Sequence, residues 1–225
     1  MSGILANQPT SGQASDYLVL KESVAGGDIP GATAETRRLV ERGTPVGEIL
    51  DQGLVPAMDE VGAQFAAGDI FIPQMLLSAK TMQECMKILE PLFKKGEKTS
   101  KGKVLIGTVQ GDLHDIGKNL VAVMLEGAGF GVIDLGVDVK PETFVRKALE
   151  LEPDIVAMSA LLSTTMPAMS KTIKALREAG LKDKVKVMIG GAPVTEKFAA
   201  EIEADLFAPD AGAAVGKAKE ALGLS

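Results

Sequence analysis

Apolar positions follow two different rhythms along this chain. Over the first part they recur every three or four residues: in 72–94, Met75, Ala79, Met82, Met86, Leu89 and Phe93 fall on one helical face. Helical patterns also cover 16–25, 29–42 and 45–67, where Pro56 predicts a bend, and strand-like alternation is missing from this region. Between these segments stand Gly26-Gly27-Asp28, Arg42-Gly43-Thr44-Pro45 and Ala67-Gly68-Asp69, each joining a glycine to a polar residue that can cap the next helix. Four helices with short connections predict a small bundle over residues 16–95.

The rhythm changes after 94–103, a charged stretch with two glycines and no apolar residue, which predicts an interdomain linker bounded at 96–102. Beyond it, short apolar runs at 104–109, 132–135, 155–158, 185–189 and 206–207 alternate with helical patterns at 116–128, 141–149, 166–179, 195–203 and 211–222. This alternation predicts an α/β domain over 103–225 with a doubly wound, parallel, five-stranded sheet.

In such a sheet the loops that follow the strands converge on one edge, which makes neighbours of 107–117, 159–166 and 190–194. The first holds the only histidine, in Gly111-Asp112-Leu113-His114-Asp115-Ile116-Gly117. Asp112, two residues before His114, can turn its carboxylate to one ring nitrogen, fix the tautomer and raise the basicity of the other nitrogen. A hydroxyl such as that of Thr165 can extend this relay, and Ser159, Ser163, Gly190 and Gly191 bring further hydroxyls and bare backbone to the same edge. Each residue also has an ordinary reading: His114 as the cap of the helix near 116, Gly190-Gly191 as a strand-to-helix turn, Ser163 and Thr165 as helix caps.

Composition narrows the chemistry. The 225 residues are 46% hydrophobic and 24% charged, enough for one large core or two modest ones. A net charge of -6 and a pI near 5.0 argue against nucleic acid or an anionic membrane as partner. Residues 1–15 lack the basic, apolar and cleavage features of a leader, and no apolar stretch approaches the ~20 residues that span a bilayer, so a cytoplasmic location is expected. Cys85, the single cysteine, reads as a structural thiol. One histidine and one cysteine cannot supply the ligands of a zinc site, so His114 can bind only a metal already held by another molecule.

Taken together, these residues resemble the cobalamin-binding module of methionine synthase and the small corrinoid proteins of methyltransferase systems. The signature Asp-x-His-x-x-Gly is present as Asp112, His114 and Gly117, the Ser-x-Leu element as Ser159 and Leu161, and the Gly-Gly element as Gly190-Gly191. In the helical part, Phe71-Ile72-Pro73-Gln74 is similar to the cap segment whose aromatic covers the methyl face of cobalt, so the resemblance runs from about residue 16 to 223. It implies a Rossmann-like domain that binds cobalamin with its dimethylbenzimidazole tail detached and buried, and with His114 as the lower cobalt ligand. It places the cofactor against Gly107, Thr108, Gly111, Asp112, Leu113, His114, Asp115, Ile116, Gly117, Ser159, Leu161, Ser163, Gly190, Gly191, Ala208 and Asp210, under Phe71. Asp112, His114 and Thr165 are implied to manage the protons that accompany ligation, with Thr165 standing where methionine synthase has serine.

The implied activity is that of a methyl carrier cycling between Co(I) and methyl-Co(III). Methyl would arrive from a donor:corrinoid methyltransferase and leave through a corrinoid:folate or corrinoid:thiol methyltransferase, with a reductive activase as a further partner. The helical cap would swing aside on the linker, so locking the two domains together is expected to abolish transfer while cobalamin stays bound. Three other classes use related modules. A cobalamin-dependent sensor usually adds a DNA-binding domain, for which 1–15 is too short; a radical mutase subunit needs a barrel on another chain; and a receiver-like signalling domain needs a phospho-accepting Asp where this chain has Ala157-Met158-Ser159.

Overall fold

The computed structural model describes residues 11–92 and 100–224, so residues 1–10, Phe93 and most of the expected linker lie outside the described residues. The chain divides into two compact units, 1–97 and 98–225.

The first unit is helical: α1 (Ser11–Ala25), α2 (Ile29–Glu41), α3 (Val46–Ile49), α4 (Val55–Ala67) and α5 (Ile72–Leu89). Asp28 caps α2 by accepting the Gly31 amide at 3.0 Å, and Pro30 sits in the first turn, where its missing N–H costs nothing. The expected bend near Pro56 takes the form of a π turn over Leu50–Leu54, in which the Val55 amide reaches back to the Leu50 carbonyl. Proline cannot donate and its ring crowds the preceding turn, so widening that turn lets the helix continue. The last helix stops at Leu89 rather than near 94, because Pro91 disfavours helical geometry in the residue before it and a 3₁₀ turn, Glu90–Leu92, follows. Met75, Ala79, Met82 and Leu89 of α5 are buried, as are Leu20, Val24, Leu39, Ile49, Leu54 and Val61.

In the second unit β1 (Lys103–Thr108), β2 (Gly131–Asp134), β3 (Ile155–Ser159), β4 (Lys186–Gly190) and β5 (Leu206–Ala208) form a parallel sheet in the order β2-β1-β3-β4-β5. Helices α6 (Ile116–Gly127), α7 (Pro141–Leu151), α8 (Pro167–Glu178), α9 (Glu196–Glu201) and α10 (Ala211–Ala221) connect and flank it. Helix α6 packs against α10, and α7 packs against α8. The central strands β1, β3 and β4 are buried on both faces: Leu105, Val156, Val187 and Ile189 join one core with Phe144, Met169 and Leu176, while Val104, Ile106, Ala157 and Met188 join the other with Leu125, Ala214 and Ala218. The strand order reverses between β1 and β3, and their carboxyl ends therefore open the crevice in which doubly wound sheets bind ligands.

Candidate functional site

The loop leaving β1 is built around Asp112. The Asp112 amide donates to the Val109 carbonyl at 3.1 Å, closing a turn whose third residue, Gly111, has φ +85, a conformation that favours glycine. Asp112 is fully buried, and five donors converge on its carboxylate. Oδ1 accepts from Nδ1 of His114 at 2.7 Å and from the His114 amide at 3.1 Å. Oδ2 accepts from Oγ1 of Thr165 at 2.7 Å and from the amides of Leu161 at 2.8 Å and Leu162 at 3.2 Å. Burial opposes the charge, but the bonds from Thr165, His114 and the backbone outweigh it and hold the carboxyl well below its usual range.

An ionised carboxylate only accepts, so Nδ1 carries a proton, and in the neutral ring Nε2 is the nitrogen that keeps its lone pair. The side chain of His114 is 51% exposed although its partner is wholly covered. His114 does not cap α6: Asp115 occupies that position, and the Thr108 hydroxyl donates to the His114 carbonyl at 2.9 Å. The outcome is a fixed imidazole with one nitrogen free to coordinate. Among the described residues no group of three or more histidine, cysteine, aspartate or glutamate residues can hold a metal ion, so a metal at Nε2 must arrive with its other ligands.

Beside the imidazole, between α6 and α10, lies a cleft of about 560 Å³. Its floor is one row of the sheet, Ile106, Ala157 and Met188, which are paired in register across β1, β3 and β4. The next row toward the mouth is Thr108, Ser159, Gly190 and Ala208, all small. Leu113, Ile116 and Leu161 rim the cleft and are 72%, 85% and 43% exposed, an apolar display around a polar ligand-binding atom. A flat ring over Nε2 and a slender group inserted below it would cover both features. The cleft, the rim and the free nitrogen therefore fit a cobalamin with its tail detached.

Of the residues expected to touch a cofactor, Leu113, His114, Asp115, Ile116, Gly117, Ser159, Leu161, Gly190, Gly191, Ala208 and Asp210 line this cleft. Asp112, Thr165, Thr108 and Gly111 stand behind it and hold the histidine loop. Gly107 is elsewhere: a Cβ there would come within 2.9 Å of Phe144, so this glycine makes room for the core on the opposite face of the sheet. Ser163 is exposed on the loop after β3 and is not part of the lining. Asp210 uses its carboxylate to cap α10 through the Ala213 amide at 2.7 Å. The glycine pair is demanded first by the backbone: a Cβ on Gly191, at φ +122, would lie 1.9 Å from the Ala160 carbonyl, and one on Gly190 would lie 2.7 Å from that of Ala208.

Several lining residues carry no sequence signal of their own, among them Leu120 and Val121 of α6 and Ala211 and Ala214 of α10. Lys118 is another: its buried ammonium pairs with Asp134 and donates to Oδ1 of Asn119 at 2.7 Å. In the helical unit Phe71 precedes α5, its amide donating to Oε1 of Gln74 at 2.8 Å, and its ring is exposed together with Ile72, Leu76 and Leu77. Among the described residues no helix is long and apolar enough to cross a membrane.

Comparison with known proteins agrees with this geometry. Residues 102–222 match the B12 binding domain family, and residues 19–90 match a second family of the same description. A dimethylamine corrinoid protein of Methanosarcina acetivorans is 46% identical over 176 residues, covering 78% of this chain and 83% of that one. A trimethylamine corrinoid protein of Methanosarcina barkeri is 46% identical over 177 residues, covering 78% and 82%. The structure of the methanol:cobalamin methyltransferase complex of Methanosarcina barkeri superimposes with a TM-score of 0.84 at 25% identity, covering 98% of this chain and 88% of that one. On these matches, which take in the sheet unit and most of the helical unit ahead of it, the chain belongs to the cobalamin-binding corrinoid proteins.

Proposed function

We propose that this chain is the methyl carrier of a methyltransferase system, with the His114 Nε2 as lower ligand of cobalt and the cleft between α6 and α10 as the seat of the detached tail. The observation that carries the reading is the buried Asp112 carboxylate on Nδ1 of a half-exposed imidazole at the mouth of that cleft. Bound cobalamin supplies a cobalt centre that accepts a methyl group in one half-reaction and yields it in the other. The chain's own part is to hold Nε2 in place, keep the proton on Nδ1 by directing it at the Asp112 carboxylate, and give that carboxylate the Thr165 hydroxyl as a further donor when the ring's basicity changes. The helical unit exposes Phe71, Ile72, Leu76 and Leu77, an apolar surface of the kind that excludes water from a reactive group.

The likeness to corrinoid proteins and to a methanol:cobalamin methyltransferase complex supports assigning each half-reaction to a partner methyltransferase. The names of the relatives support a methylated amine as donor. The further partners we propose are a corrinoid:folate or corrinoid:thiol methyltransferase and a reductive activase.

The test is the visible spectrum of the full chain after mixing with hydroxocobalamin and desalting, beside His114→Ala treated identically. Retained chromophore in the wild type, with a spectrum that changes in the variant, is the expected result. A folded wild-type protein that emerges colourless overturns the reading.

A further inference from the structure

Three non-glycine residues with positive φ occur among the described residues: Asp138, Glu152 and Glu203. Glu152 caps α7 and Glu203 follows the end of α9, where left-handed geometry is routine. Asp138, at φ 53, ends no helix. It lies in the connection from β2 to α7, which runs alongside the histidine loop: the Thr108 amide donates to the Gly136 carbonyl at 2.9 Å, the Val139 amide to the Thr108 carbonyl at 2.9 Å, and Val109 and Val139 form a parallel bridge.

Asp138 makes two bonds to the turn that carries Asp112. Its Oδ1 accepts the Gly111 amide at 2.7 Å, and its own amide donates to the Asp112 carbonyl at 3.0 Å. In a turn of this kind the amide of the third residue points away from the turn and needs an outside acceptor. If backbone shape alone mattered, glycine would serve best at φ 53. An aspartate there retains strain in exchange for a side chain that reaches Gly111, and strain of this sort next to a binding group points to a role.

We propose that Asp138 is a positioning residue: it fixes the 109–112 turn and, through it, the carboxylate that keeps the His114 proton on Nδ1. Asp138 is not among the residues that line the cleft, and its bonds to the histidine loop go to Gly111 and Asp112. The proposal deepens the cofactor reading, and rests on it only for the purpose served by a free Nε2.

Because His114 is the only histidine, long-range proton–nitrogen NMR of the cofactor-free full chain reads one imidazole and reports its tautomer ratio directly. In the neutral ring, the wild type is expected to be almost wholly the Nδ1–H form. Asp138→Gly relieves the backbone, so thermal unfolding should occur no lower than in the wild type. Its ratio of Nδ1–H to Nε2–H should nevertheless fall by a factor of about five, the worth of one partly solvated hydrogen bond. Asp138→Asn keeps an oxygen acceptor and tolerates left-handed geometry, so it should return the ratio to within about twofold of the wild type. A Gly variant with the wild-type ratio overturns the proposal, as does an Asn variant that behaves like the Gly variant. Since no cobalamin is present, either result stands whether or not the spectral test of cofactor binding succeeds.

Discussion

Oγ1 of Thr165 lies 2.7 Å from Oδ2 of Asp112 and 2.8 Å from the Leu162 carbonyl, so one hydroxyl proton faces two acceptors. The carboxylate is the stronger of the two, and the proton belongs to it. Thr165→Val removes a donor from a fully buried charge and should cost about 1–3 kcal/mol in urea unfolding. Thr165→Ser keeps the hydroxyl and should cost no more than about 1 kcal/mol, the worth of one buried methyl group.

Asp112 gives a pH signature. Its carboxyl is depressed in the folded chain, so the stabilisation it brings is fully present above the ordinary value of 3.8 and is lost only as pH falls through the lower, folded value. Asp112→Asn turns an amide toward a site where every neighbour donates, and should destabilise the protein by about 3 kcal/mol near neutral pH. The gap between the two proteins should stay constant down to about pH 4 and narrow only below it. Urea melts of both proteins across that range provide the check; a gap that closes between about pH 7 and 5 contradicts a depressed carboxyl.

These two residues also show what the sequence discloses. Asp112 and His114 are two positions apart, so their contact follows from local geometry. The bonds from Leu161, Leu162 and Thr165 span about fifty positions and became legible only through the adjacency of β1 and β3, which a βα alternation predicts. The cleft floor was not legible. Strands buried on both faces read as unbroken apolar runs, so nothing in Val104–Thr108 distinguishes Ile106, which faces the cleft, from Gly107, which faces Phe144. The same ambiguity hid Ala157 and Met188.

Cys85 should be inert. It is fully buried in the helical unit, and burial pushes the thiol above its ordinary range despite a hydrogen bond with Thr36. Iodoacetamide at about pH 8 should leave the native chain unmodified and label it fully in denaturant, as read by intact mass. Rapid labelling of the folded protein would mean that the helical unit opens locally.

Gly117 separates stability from binding. It lies in the first turn of α6, and a Cβ there would meet nothing within 4 Å, so no packing or backbone constraint in this unit requires glycine. Alanine is the better helix former, and Gly117→Ala should stabilise the cofactor-free protein by about 0.5–1 kcal/mol. The position nevertheless lines the cleft beside His114 and Ile116. A group seated against that turn would meet the new methyl, and retention of cobalamin after desalting should fall although the fold is firmer. Gly191→Ala supplies the contrast, because its Cβ would clash with the Ala160 carbonyl at 1.9 Å and should destabilise the empty protein by more than about 3 kcal/mol. Thermal melts of both empty variants, set beside their bound absorbance, decide the matter: if Gly117→Ala is firmer and still holds cobalamin as well as the wild type, the cofactor does not rest on the first turn of α6.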